Sequence, residues 1–460
     1  MRYLICSLGI LASLWTSSCH TTSQASPPAI TDVVEVVPDE WLLRQRLEWL
    51  LHDEGLHDLI EIDSTGISLY ASSQDRQAQR PEVKIYPEEY LLTARLYEMM
   101  RPDSMVRYYQ EKGTQAWDDS WQALARHALP MLPGPITLAG ELPLTGWRIA
   151  LDPGHIAGDM KTAEIEGKYI RMHPSQATNF DRIAFWEANL TLATGHLIRQ
   201  QLDSLGATVM MTRYTTGVDV NGLSYPEWKQ QHWPQAAYDS AVSWKLTQRQ
   251  LAFWLQKADD KAIMRSFYTA EDLRNRANRI NAFRPHLTLI IHYNVHGPNW
   301  EQFDRAGFIP PGDTNYSMAF IPGSFLNREL ETVEDRAILL RLLLTMDMTY
   351  SQELAEAFIT ASEQLTEVPP VPVNHQLGYL HNSSRYTGSP GVYARNLSLT
   401  RLIRGPLVYG ESLNQDYLGE ALRLNQRDRM VEGVPVSSRV QTVADAYVAA
   451  VLAFAQDRHF

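Results

Sequence analysis

His155, Glu187, His292 and Glu411 stand far apart in a chain of 460 residues, yet three of the four fall where a strand expected to be buried runs out. Two imidazoles and one carboxylate are a usual protein share of a catalytic zinc shell. They leave a fourth position for water, which the metal makes acidic enough to ionise near neutral pH. One zinc ion per chain, held by His155, Glu187 and His292, is therefore expected, with Glu411 left to move protons. The only cysteines are Cys6 and Cys19, both in a segment that reads as an export leader, so a metal must use His, Asp or Glu.

The elements that would gather these residues follow from the hydrophobic pattern. Beyond Trp147 strands and helices alternate, the mark of a sheet covered on both faces. The expected fold class is α/β: a mixed, largely parallel central sheet with helices on both faces, preceded by a small N-terminal α+β domain. Arg148 to Asp152 is a short apolar strand stopped by Pro153-Gly154. Leu190, Ala193, Leu197, Ile198 and Leu202 share one side of a helix that begins near Glu187, and Gly206 is placed to end it. Ala207 to Thr212, Leu287 to Tyr293 and Leu407 to Gly410 read as further strands, and Tyr350 to Leu365 and Val443 to Ala455 as helices. Ligands of open α/β sheets gather beyond the carboxyl ends of the strands, the edge expected for His155, His292 and Glu411. Glu187 instead opens a helix, where the dipole favours an anion. A lone histidine at a strand end is more often a packing residue than a ligand, but four convergent positions outweigh that prior.

Four stretches, in order, also resemble a family. Asp152-Pro153-Gly154-His155, Glu187-Ala188-Asn189-Leu190, Arg276-Ala277-Asn278 leading into Ile291-His292-Tyr293-Asn294, and Pro406-Leu407-Val408-Tyr409-Gly410-Glu411 are similar to the motifs of zinc-dependent N-acetylmuramoyl-L-alanine amidases (amidase type 3) of bacterial cell-wall remodelling. The resemblance runs discontinuously from Trp147 to Phe460. It implies that His155, Glu187 and His292 are the zinc ligands and that Glu411 is the catalytic carboxylate. It also implies peptidoglycan as substrate, cut at the amide between N-acetylmuramic acid and L-alanine of the stem peptide. In that reading Glu411 takes a proton from the activated water and passes it to the departing nitrogen, help worth roughly a hundred- to ten-thousand-fold. The chain departs from the family pattern where Ile156-Ala157 replace a usual Gly-Gly, and in insertions at about 213–272 and 297–349. These departures keep two alternatives open: a zinc peptidase or amidohydrolase for another amide, and a peptidoglycan-binding scaffold without catalysis.

Asn294 and His296 are candidate substrate contacts, against a plain turn or loop role, and Asp152 either positions the ligands or stabilises the turn. His173 has no assigned role, and His286, before its strand begins, reads as a surface residue. The insertion from Tyr225 to Tyr268 carries Trp228, Trp233, Trp244 and Trp254, which either line a groove or, the simpler reading, form the insertion's own core. A regulatory protein partner that moves the insertions is expected, since an uncontrolled wall hydrolase lyses its host.

Forty-four per cent hydrophobic and 20% charged residues describe an ordinary globular protein, and a net charge of −12 argues against nucleic acid as a partner. Residues 1–19 read as a signal peptide: Arg2 precedes an apolar run from Leu4 to Trp15, and Ser17-Ser18 stand before Cys19. Cys19 resembles a lipobox cysteine although Thr16 occupies the position where Leu is preferred. The expected organisation continues with a flexible spacer at 20–38, the N-terminal α+β domain at 39–130, a linker at 131–146 and the catalytic domain at 147–460. The protein is expected to be exported and periplasmic, touching the outer membrane through a lipid anchor only.

Overall fold

Seven strands build the central sheet, and their order explains how distant residues meet. A computed structural model describes residues 38–100, 102–119, 123, 142–172, 183–243, 245–296 and 307–456. The expected leader, Cys19, the spacer up to residue 37, most of the linker, His173 and Trp244 lie outside the described residues.

In the N-terminal part, β1 (Ile60–Asp63), β2 (Gly66–Leu69) and β3 (Val83–Ile85) form an antiparallel sheet. The first two strands are joined by Ser64-Thr65. The helices Glu40–Leu50 and Tyr90–Met99 bury Leu43, Leu47, Leu50 and Tyr97 in one apolar cluster with Leu339, Leu340 and Leu343 of the helix Val333–Leu344. The apolar run before Thr345 is thus a core helix, and no helix among the described residues is long and apolar enough to cross a membrane.

Along the rest of the chain come β4 (Arg148–Pro153), the hairpin β5 (Tyr169–Met172) and β6 (Ile183–Trp186), and then β7 (Thr208–Met211), β8 (Leu287–Asn294) and β9 (Met318–Ile321). They are followed by β10 (Ser384–Tyr386), β11 (Val392–Arg395), β12 (Leu407–Asn414) and the hairpin β13 (Arg429–Val431) and β14 (Val434–Val436). The sheet order is β10-β11-β9-β12-β8-β4-β7. The β12-β8-β4-β7 half is parallel, β11 runs parallel to β9, and β9–β12 and β10–β11 are antiparallel. This is the mixed, largely parallel α/β fold. The helices Glu187–Ser204, Asp347–Thr366 and Arg439–Gln456 supply Leu197, Phe358 and Tyr447 to the core on one face. The helix Thr269–Phe283 supplies Ala277 and Ile280 to a separate cluster with Ala150, Ile290 and Leu407.

Two sequence expectations need correction. β12 runs on to Asn414, so Glu411 lies inside its ladder with β8 rather than past it, whereas His292 lies in β8 within the expected strand Leu287 to Tyr293. The hydrogen-bonded pairing continues beyond the apolar run, which is why composition alone ends β12 early. His286 is half-buried, not a surface residue: its Nδ1 accepts from the Arg148 backbone at 2.8 Å, and its ring packs edge-on against Trp147.

Between β7 and β8 the insertion folds as a helical cap comprising Tyr225–His232, Gln235–Ser243, Gln248–Gln256 and Asp260–Ile263, joined by a π-helical turn to Thr269–Phe283. Trp228 and Trp233 are buried in its own core with Phe267 and Tyr268, and Trp254 packs against that core. Ile156 is buried in the same cluster, so its side chain is a plug joining the loop after β4 to the cap.

Candidate metal centre

The loop after β4 is fixed before any ligand is considered. Asp152 is fully buried and grips Arg276 through two hydrogen bonds, Nε to Oδ1 at 2.7 Å and Nη2 to Oδ2 at 2.5 Å, while Thr212 donates to Oδ1 at 2.6 Å. Arg276 also reaches the Pro153 carbonyl at 3.2 Å, and Arg213 Nη2 donates to the Pro153 and Gly154 carbonyls at 3.1 and 2.6 Å. Asp152 therefore organises the turn through an ion pair. Within this frame His155 takes φ 60°, the left-handed region that residues with a Cβ seldom enter. Gly154 is indispensable here, because a Cβ on it would lie 2.2 Å from His292 Cε1.

His155, Glu187 and His292 each offer a ligand atom, and the three atoms lie within 4.8 Å of one another. Glu187 opens its helix as the pattern predicts, with both carboxylate oxygens engaged. Oε1 accepts from the Tyr293 backbone at 3.0 Å and from His292 Nδ1 at 3.1 Å, and Oε2 accepts from Gln415 Nε2 at 3.1 Å. His155 donates from Nδ1 to Glu166 Oε1 at 3.1 Å, which leaves Nε2 buried without a hydrogen bond, 3.2 Å from Glu187 Oε2. The two imidazole rings stand edge-to-face at 4.7 Å, and Tyr409 stacks on His292 at 4.4 Å and 7°.

Glu411 is the register partner of His292 on the neighbouring parallel strand, so both side chains leave the same face of the sheet. Its Oε2 is shut off from solvent and has no partner. Burial, reinforced by the Glu187 charge, pushes this carboxyl up to about 8. Burial acts the same way on Glu187 but is outweighed by the His155 and Lys168 charges, which hold it well below the usual carboxylate range. Burial likewise opposes charge on His155, where Glu187 and Glu166 prevail and raise it, whereas His292 is depressed to about 4 by burial. Three acidic side chains thus meet two imidazoles in a place where charge is costly, and His155, Glu187 and His292 form a donor set that could hold a cation.

Glu166 and Gln415 were not singled out by sequence reasoning. Glu166 receives His155 Nδ1 and the backbone N–H groups of Ile156 and Ala157, so it orients the ring and secures the loop. It ends the helix Met160–Glu166, which Asp159 caps through Thr162 N–H; that capping signal was available within the polar stretch after Gly158. Gln415 follows directly on β12, and only tertiary structure brings it under Glu187.

His155, His292, Glu166, Arg276 and Tyr409 line a cavity of about 210 Å³. His296 faces elsewhere: it lines a larger cavity of about 540 Å³ with Tyr316, Pro370 and Leu377, and its Nδ1 lies 2.9 Å from Thr314 Oγ1. Asn294 donates to Asn414 Oδ1 at 2.7 Å, closing the end of the β8–β12 ladder.

Neither family models nor curated proteins yield a match to this chain. Among solved structures it is similar to the N-acetylmuramyl-L-alanine amidase from Mycobacterium smegmatis, at 16% identity over 68% of this chain and 99% of that one, TM-score 0.35. It is also similar to the CwlD amidase from Clostridioides difficile, solved with the GerS lipoprotein, at 13% identity over 68% and 100% of the two chains, TM-score 0.35. A third is an N-acetylmuramoyl-L-alanine amidase of Nostoc punctiforme, at 11% identity over 69% and 100%, TM-score 0.33.

Proposed function

We propose that this chain is a zinc-dependent N-acetylmuramoyl-L-alanine amidase that hydrolyses peptidoglycan. The observation that carries the proposal is the convergence of His155, Glu187 and His292 beside Glu411, with His155 Nε2 and Glu411 Oε2 both buried and unpartnered. Two nitrogen donors and a carboxylate, balanced by no permanent positive charge among the ligands themselves, suit a divalent borderline ion such as zinc. When bound, zinc supplies Lewis-acid polarisation of the scissile carbonyl and lowers the pKa of water.

The protein's own groups do the remainder. Glu166 keeps the His155 proton on Nδ1 and so frees Nε2 as a donor to the metal. Glu411, whose carboxyl titrates near neutrality, accepts a proton from the attacking water and delivers it to the departing amide nitrogen. Tyr409 and Gly154 bracket the His292 ring. Peptidoglycan is proposed from the four ordered motifs, all of which supply residues to this one centre. The burial of Ile156 in the cap accounts for the missing Gly-Gly by packing and gives no separate support to another amide. Residues 147–460 are proposed as the catalytic domain and 39–130 as a structural or partner-binding domain. Export, lipidation of Cys19, outer-membrane anchoring and a regulatory partner belong to the same proposal.

Digestion of purified sacculi followed by mass analysis tests the reading: free stem peptides beginning at L-alanine are expected, and 1,10-phenanthroline should abolish their release. Glu411→Gln should retain zinc yet release peptides at least about a hundredfold more slowly. Cuts at another bond, or wild-type release by this variant, would overturn the assignment.

A further inference from the structure

The face of the sheet that carries His292, Tyr409 and Glu411 extends beyond the metal centre. Tyr409 and Glu411 on β12 lie opposite Phe320 and Met318 on β9, and Phe320 lies opposite Tyr393 on β11. Opposed residues share a face and side chains alternate along a strand, so Arg395, two residues after Tyr393, leaves the same face. Phe320 stands edge-on to Tyr409 at 6.0 Å, and the Arg395 guanidinium lies over the Phe320 and Tyr379 rings at 5.1 and 5.3 Å. Leu397, two residues further on, lines the metal cavity together with His292 and Tyr409.

That guanidinium is unspent. Other arginines of this domain that are withdrawn from solvent hold carboxylates: Arg276 holds Asp152, Arg439 holds Glu420 at 2.8 Å and Arg401 holds Asp335 at 3.5 Å. The Arg395 guanidinium makes its two ring contacts but no hydrogen bond and no ion pair among the described residues. Lying over rings leaves its N–H donors free. Arg395 is half-buried, so a ligand can reach it while competing water is partly excluded. Glu411 feels the Arg395 charge more weakly than those of Glu187, Lys168 and His155, and no ion pair joins the two. A stacked cation with open donors suits a planar anion that accepts two hydrogen bonds side by side.

We propose that Arg395 receives a carboxylate of the stem peptide and so selects acidic over amidated stems. The inference rests on the amidase reading. In that substrate the charge comes from the peptide side of the cut, because the carboxyl of the muramic acid is consumed in the scissile amide. β11 lies two strands from β12, about 10 Å at ordinary strand spacing, a span that roughly three residues of extended peptide cover. At that remove Arg395 acts on substrate binding, and the proton transfers stay with Glu411.

Four probes that differ only at two carboxyls test it: N-acetylmuramoyl-L-alanyl-D-glutamate, its two monoamides and its diamide. With the metal-loaded full chain, the diacid should show a KM at least about tenfold below that of the diamide, with kcat within about twofold. The monoamide that keeps the low KM identifies which carboxyl is received. Arg395→Met, whose stem still covers Phe320 and Tyr379, should raise the diacid KM to that of the diamide and leave the diamide unchanged. A merely structural role would shift both alike. Arg395→Lys should restore part of the preference, since it keeps the charge and loses the fork. Calorimetric titration with L-alanyl-D-glutamate and its diamide should show a gap of about tenfold without turnover. Should Arg395→Met fail to fold, Arg395→Gln carries the same comparison. Equal KM for diacid and diamide in the wild type, or a preference that survives loss of the guanidinium, overturns this inference while the amidase reading stands. No cleavage of the probes or of sacculi overturns the amidase reading and this inference with it.

Discussion

Gly154→Ala isolates how finely the metal centre is built. A Cβ at this position would lie 2.2, 2.4 and 2.6 Å from Cε1, Nε2 and Nδ1 of His292. Three near-equal distances put the methyl over the face of the ring rather than at its edge. Ordinary contact begins near 3.4 Å, so the imidazole must retreat by roughly 1.2 Å, the difference between 3.4 and 2.2. Tyr409 lies parallel to the ring at 4.4 Å and therefore on the other face, so retreat is blocked and the ring must swing, breaking its 3.1 Å contact with Glu187. Metal ligands tolerate about 0.2 Å, and a displacement near 1 Å costs on the order of a hundredfold. Zinc affinity should accordingly fall by about a hundredfold, or about 2.7 kcal/mol. The overpacking should cost the metal-free fold a further ~1–3 kcal/mol. Competition against a chromophoric zinc chelator reads the first quantity and urea unfolding of the metal-free protein the second. Gly378→Ala, where a Cβ meets nothing within 4 Å, serves as the control and should change neither. A Gly154→Ala protein that takes up zinc with wild-type affinity would refute the reasoning.

Ile156→Ala removes the plug between the metal loop and the cap, and by the usual cost of emptying a core site should lose about 2–4 kcal/mol in urea unfolding. A loss well below 1 kcal/mol would mean the cap is not seated through that side chain. Arg276→Met leaves Asp152 buried without its partner and should destabilise the fold by about 3–5 kcal/mol, read as a lowered Tm; an unchanged Tm would dismiss the clamp. Glu98, whose backbone carbonyl receives Arg404, is raised from its ordinary 4.5 to about 7 by burial and by the Asp347 charge. A carboxyl raised in the fold favours the folded state most when protonated, so its contribution is intact below pH 4.5 and is lost as pH climbs to about 7. Glu98→Gln should therefore gain up to about 3 kcal/mol at pH 8 and almost nothing at pH 4; equal effects at both would count against it.

The parallel half of the sheet was readable because β8 and β4 are almost continuously apolar and helix signals separate the strands. Glu187 was readable too, since its helix carries an apolar stripe that Gly206 is placed to end. The antiparallel pairing of β9 with β12 was not legible, because strand direction depends on the long connections between them. Nor was the second tier of the metal centre. Glu166 acts through a backbone path set by the positive φ of His155, and Gln415 through a bulge at the end of β12; neither leaves a periodic trace. The indoles of the cap were ambiguous for a simpler reason: a buried aromatic and a substrate platform have the same composition, and only accessibility separates them.

Two guanidinium groups grip the carbonyls of Pro153 and Gly154, and both stay charged at neutral pH. The turn that presents His155 is consequently assembled by the polypeptide alone, ahead of any ion. In the proposed zinc enzyme, folding and loading would then be separate events, because the chain itself sets the place of the ligands.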